Sequence, residues 1–185
     1  GSGLQYTYHN AKNAETFGVE LDVKKNLDFI GLRGLSFVCN AAYIYSRVRF
    51  EEGAPERDRP LAGQSPYLVN AGFFYQYDDK GISASLLYNR IGKRIESVGV
   101  PMQDQNEDIP DIYEMPRNSL DLTFSKKIGK AVEIKAGIQD MLNSKIEYKQ
   151  FVKLTDQNGG KREREQLVRS YRPGVDINVG VSLKF

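Results

Sequence analysis

Asp104, Asn106 and Asp108, within the run DQNEDIPD, stand at i, i+2 and i+4. That spacing turns side-chain oxygens toward one centre, as at the start of a calcium loop. The run then departs from the pattern. Ile109 stands where the sharp turn needs Gly, and Met115 where a bidentate Glu would close the coordination shell. A solvated acidic loop is the plainer reading, with Asp104, Asn106 and Asp108 as the metal candidates the sequence offers. His9 is the single histidine, so any Ser-His-Asp arrangement would rest on it, and it reads as a solvated turn residue. Gly92-Lys93 in IGKRI lacks the upstream Gly and the following Ser/Thr that a phosphate loop requires. The run KRERE, from Lys161 to Glu165, changes sign at each step, whereas a nucleic-acid surface needs one sign on one face. It reads as a solvated loop or a strand extension. Cys39 has no cysteine partner and no cation nearby in sequence, so it reads as a small apolar residue. No catalytic constellation emerges. The expectation is a protein that is not an enzyme and carries no cofactor.

If the chain does no chemistry of its own, its elements must carry the function. The 185 residues are 40% hydrophobic and 27% charged, with a formal net charge of +2. That charge is too small to point to nucleic acid. Mean hydropathy is -0.51, and no apolar run approaches the ~20 residues of a membrane-spanning helix. Neither fact bears on a membrane β-barrel, whose strands place only alternate residues against lipid. No signal peptide opens the chain, and Gly1-Ser2-Gly3 looks like a cloning remnant.

Alternation of period two recurs along the chain. Its apolar lines are Phe17–Val23, Leu35–Tyr45, Tyr67–Tyr77, Ile82–Tyr88, Leu120–Phe124, Val132–Ile138 and Val175–Phe185, taken every second residue. With LQYTYH at the start they predict about eight strands and no helix. Short connections (NLDFIGLRG, DDKG, KIGK) alternate with long polar ones (EEGAPERDRPLAGQS, VGVPMQDQNEDIPDIYEMPR, TDQNGGKREREQLVRSYRP). One end of the sheet therefore carries tight turns and the other large loops, as in outer-membrane barrels. Phe185 falls at the tight-turn end. Several strands approach the ~9–11 residues needed to cross a bilayer. Tyr43, Tyr45, Tyr75, Tyr77, Tyr88 and Phe185 lie near strand ends, where an interfacial girdle would sit. Three architectures satisfy this pattern: a segment of a large transmembrane barrel, a complete eight-stranded barrel with a structural or adhesive role, and a soluble barrel that turns its apolar face inward around a small hydrophobic ligand.

The segments QSPYLVNAGFFYQY, GISASLLYNRIGKRIESVG, PDIYEMPRNSLDLTFSKKI, IQDMLNSKIEY and YRPGVDINVGVSLKF together resemble the C-terminal barrel portion of TonB-dependent receptors of Gram-negative bacteria. IQDMLNSKIEY resembles the family's penultimate-strand segment, with Gln139 where Asn is usual and Met141-Leu142 in place of Leu-Phe. YRPGVDINVGVSLKF resembles its closing strand, which ends in an aromatic residue.

The resemblance implies an all-β, antiparallel transmembrane β-barrel of which residues 1–185 are a fragment, since the whole barrel has about 22 strands. It implies an outer-membrane location and a role as wall and extracellular loops of an active importer of siderophore, vitamin, glycan or peptide. Its partners would be outer-membrane lipid, the imported ligand, the barrel-assembly machinery reading Phe185, and TonB acting through a plug domain that this sequence does not contain. By the same analogy Arg57, Arg59, Asp111, Tyr113 and Arg169, in the long connections, are the candidate ligand contacts.

Overall fold

A computed structural model of the chain describes residues 10–101, 108–155 and 161–183, with backbone alone at 155 and 161. His9, Asp104, Asn106, Phe185 and the LQYTYH stretch lie outside the described residues. The order of elements is β1 (Asn13–Asn26), β2 (Leu35–Arg49), β3 (Tyr67–Tyr77), β4 (Ile82–Ile91), β5 (Arg94–Ser97), β6 (Ile112–Glu114), β7 (Arg117–Ile128), β8 (Val132–Gln139), β9 (Ile146–Thr155), β10 (Lys161–Tyr171) and β11 (Asp176–Leu183). Every pairing is antiparallel. No helix among the described residues is long and apolar enough to cross a membrane; two single turns of 3-10 helix, Asp28–Ile30 and Asp78–Lys80, sit in tight connections.

Two sheets form. Seven strands pair in the order β1-β2-β3-β4-β7-β8-β11, and four in the order β10-β9-β6-β5. The second sheet continues four strands of the first, because β4 runs on into β5, β6 into β7, β8 into β9 and β10 into β11. Each junction has a local cause. Gly92 separates β4 from β5, and a Cβ there would lie 2.8 Å from Tyr67 Cε1 and 2.9 Å from Ser65 Oγ. Pro116 and Pro173 interrupt the next and last strands, since proline cannot donate to the ladder. Between β8 and β9, Asp140 and Asn143 take positive φ of 51° and 43°, where Asn and Asp are the tolerated non-glycine residues. The sequence reading therefore needs correction in its long connections: two stretches expected as loops contain β6 in one case and β10 in the other. Arg90 lies on β4 and Arg94 on β5, with Lys93 in the break between them, and KRERE is a strand extension within β10.

The ladder register shows why the seven alternating lines belong together. Val19 faces Tyr43, and Tyr43 faces Tyr67. Phe37 faces Phe73, Phe73 faces Leu86, and Leu86 faces Leu122. Leu122 then faces Ile138, which faces Ile177. One face of the sheet is thus apolar across all seven strands. The other carries Glu20, Asp22, Asn40, Asn70, Ser85, Asn89, Asp121, Thr123, Glu133, Lys135 and Asn178, with hydrogen bonds from strand to strand: Asn40 donates to Glu20 (2.6 Å), and the Ser85 and Thr123 hydroxyls meet at 2.6 Å. Tight turns close the end where Leu183 pairs with Val132, and Gly81 and Gly129 supply their left-handed residues, with φ of 59° and 60°.

The sheet is open. β1 and β11 each have one neighbour, so the seven strands do not close a barrel. Nor do they wrap a core. The buried hydrophobic side chains among the described residues are Val48, Ile95, Ile146 and Tyr148, all near or beyond the strand junctions rather than under the sheet. Val19 and Val179, on the apolar face, are 75% and 73% exposed. The chain exposes 13712 Å², whereas a compact protein of 20.9 kDa exposes about 9,000 Å². The reading in which the apolar face turns inward around a ligand fails on this geometry.

Candidate functional site

At the long-loop end, three segments enclose a cavity of about 730 Å³. They are the 50–66 connection, residues 98–101 with 108–111, and the paired strands β9 and β10. Each is held by specific bonds. The first folds back on the sheet through a two-way bridge between Val48 and Arg59 (2.8 and 3.2 Å), and Gly63 N–H donates to Ile95 C=O at 2.8 Å. This connection therefore covers the edge of β5, where a longer β3 would otherwise pair. The second is pinched by the Val100–Ile109 bridge. Gly99 lies against its returning strand so closely that a Cβ would fall 1.9 Å from Ile109 C=O oxygen. Gln150 on β9 donates to Pro110 C=O at 3.0 Å, tying the second segment to the third.

The cavity wall brings together four of the five ligand candidates: Arg57, Arg59, Asp111 and Tyr113. Arg169 is elsewhere. Its guanidinium lies 4.1 Å from the Tyr148 ring centroid and 6.0 Å from that of Tyr171, and 3.8 Å from Glu96. Arg57 is engaged with Asp108 at 2.6 Å, so Asp108, the described member of the calcium triplet, already holds a cation of the protein. Arg59 lies over the Phe50 ring at 5.5 Å. Asp111 spends both oxygens inside the connection: Oδ1 accepts from Gly99 N–H at 2.8 Å and Oδ2 from the Tyr113 hydroxyl at 3.3 Å. It positions Tyr113 and the backbone. The Tyr113 phenol titrates above its ordinary value, because burial disfavours the phenolate and the Asp111 carboxylate repels it.

Two residues of the wall were not identified from the sequence. Lys93, in the break between β4 and β5, places its ammonium 4.5 Å from the Tyr113 ring centroid and 4.7 Å from that of Phe151. The two rings meet edge to face at 5.7 Å. Outside the wall, Lys149 is the register partner of Tyr113 across the β6–β9 ladder and is paired with Glu165 at 2.6 Å and Glu147 at 3.3 Å. These carboxylates raise its titration point. Spacing in the sequence carries no sign that Phe151 meets Tyr113, because that contact depends on β6 pairing with β9.

The strand junctions form a second constellation, on the polar face. Arg117 pairs with Asp140 at 2.6 Å, and Asp140 N–H donates to Asp121 at 2.8 Å. Asn143 C=O accepts from Arg172 at 2.6 Å, and its side chain accepts from Gly174 N–H at 3.1 Å. The Asp and Asn of IQDMLNSKIEY thus bond across the junction between the two sheets.

No protein-family model matches the chain, and no solved structure matches it. Among curated proteins the chain is similar to Transferrin-binding protein A of Haemophilus influenzae (strain ATCC 51907 / DSM 11121 / KW20 / Rd), with 24% identity over 198 residues. The similarity covers 97% of this chain and 21% of that protein, so the chain spans about a fifth of its relative's length.

Proposed function

We propose that the chain forms part of the wall and extracellular vestibule of a TonB-dependent outer-membrane receptor that imports a bound ligand, with no catalytic chemistry of its own. The observation that carries this reading is the apolar face that runs in register over seven strands and is covered by nothing. An uncovered face of that extent is costly in water, where a contiguous patch seldom exceeds a few hundred Å², and is what a bilayer solvates. The strand lengths support it. From Tyr67 to Tyr75, β3 runs roughly 27 Å, of the order of the ~25 Å apolar band of outer-membrane barrels. Tyr43, Tyr45 and Tyr67 stand at the upper margin and Tyr75 and Tyr77 at the lower, as an aromatic girdle would. The open edges of β1 and β11 suit a segment continued by further strands on each side. Similarity to a transferrin-binding protein supports a ligand-binding role for the loop end.

In this reading lipid covers the apolar face, the polar face lines the lumen, barrel-assembly factors handle the closing strand, and energy comes from TonB through a plug elsewhere in the receptor. The test is the orientation of the faces in a bilayer. On a Cys39→Ala background, single cysteines at Val179 and Asn178 would carry a fluorophore in liposomes containing brominated lipid. The account expects quenching at 179 and little at 178. Equal quenching, or the reverse, contradicts it.

A further inference from the structure

We infer that the cavity at the loop end is a carboxylate-recognition site whose anchor is Lys93. The inference rests on the proposed receptor function and names the ligand chemistry of its vestibule. Three of the wall's carboxylates are engaged: Asp108 with Arg57, Asp58 with Arg47 (3.0 Å), and Asp111 with Gly99 and Tyr113. Glu56 and Glu163 also line it. Two of its cations are held differently. Among the described residues Lys93 and Arg59 meet rings rather than carboxylates. An aromatic face orients an ammonium without using up its N–H donors, so Lys93 can still donate to a ligand.

The position is also rigid. Gly92 is packed against Tyr67 and Ser65 without room for a Cβ, and its N–H donates to Tyr67 C=O at 3.0 Å. Phe151 is fixed by the β9–β10 ladder, where it faces Glu165, and Tyr113 by Asp111. A cation held in place before binding loses little freedom when the ligand arrives. A cavity of about 730 Å³ is within the range for a small ligand and also admits one acidic stretch of a peptide. Both sources offer the same chemistry, several carboxylates a few Å apart.

Calorimetric titration of the chain, folded in detergent micelles at low ionic strength, tests this with two probes: tricarballylate as a free polycarboxylate, and hexaglutamate as an acidic peptide. At least one should bind, and affinity should fall as salt is added. Lys93→Gln should weaken binding about tenfold, the loss of one charge-assisted hydrogen bond. Lys93→Arg, which keeps both charge and ring contact, should stay within about threefold. Lys24→Gln, on β1 far from the cavity, should change nothing. Folding of each variant is checked by heat-dependent mobility on SDS gels. The inference is overturned if neither probe binds, or if folded Lys93→Gln binds as well as the parent. Either result with asymmetric lipid quenching at 178 and 179 would sink the carboxylate site while leaving the receptor reading standing.

Discussion

At the scale of single residues, the loop end depends on side chains that hold others in place. Gly99 is the tightest case. Its Cβ would sit 1.9 Å from a backbone oxygen, and no side-chain rotation relieves that contact. Gly99→Ala should therefore push residues 98–101 off Ile109 and Asp111, and limited proteolysis should cut at 98–101 about tenfold faster, while the strands stay intact. Tyr113 offers a titration test. Its pKa is raised by burial first and by Asp111 second. Tyr113 thus stabilises the folded connection while pH is below its unfolded value near 10, and loses that contribution as pH rises through the higher folded value. Difference absorbance titration against Tyr113→Phe should give a midpoint above 10, and Asp111→Asn should lower it. An unchanged midpoint would mean that Asp111 does not govern this phenol. Arg57 and Asp111 are legible as loop residues from the sequence and its family resemblance, whereas Tyr113 lies on β6. Lys93 and Phe151 carry no such signal, because their meeting is set by pairing of strands distant in the chain.

At the scale of elements, alternation made the seven strands of the main sheet readable, and all their apolar lines fall on one face. What alternation concealed was the second sheet. Its strands carry runs such as KRERE, in which both faces are polar, so no period-two signal separates them from a loop. The junction they share has a measurable weak point. Arg117 and Asp140 are largely enclosed, and Arg117 Nε and Asp140 Oδ1 have no hydrogen-bond partner. Removing one partner leaves the other charge poorly solvated. Asp140→Ala should therefore destabilise the fold by roughly 2 kcal/mol, somewhat below the range for a fully buried pair, and lower the temperature at which the compact band is lost on SDS gels. Replacing both residues by a matched apolar pair should recover most of the loss. If Asp140→Ala melts with the parent, the pair does not secure the junction.

At the scale of the whole molecule, the surface is the informative quantity. The sheet leaves Val19, Ile177 and Val179 more than 70% exposed. It is consistent with a wall whose two sides meet two different media. Substitutions should then sort by face and not by strand. Val179→Lys should cost about 2–4 kcal/mol in a bilayer, as a cation does at the midplane of a barrel wall, while Asn178→Lys, one residue away, should be nearly neutral. Refolding yields into liposomes would report both.

The central claim is that the apolar face meets lipid, and quenching of fluorophores at positions 178 and 179 by brominated lipid tests it most directly. Strong quenching at 179 with weak quenching at 178 is the predicted result, repeated with the same parity at 134 and 135 on the neighbouring strand. Equal accessibility of both positions to water-soluble quencher, with no effect of the lipid, would contradict it.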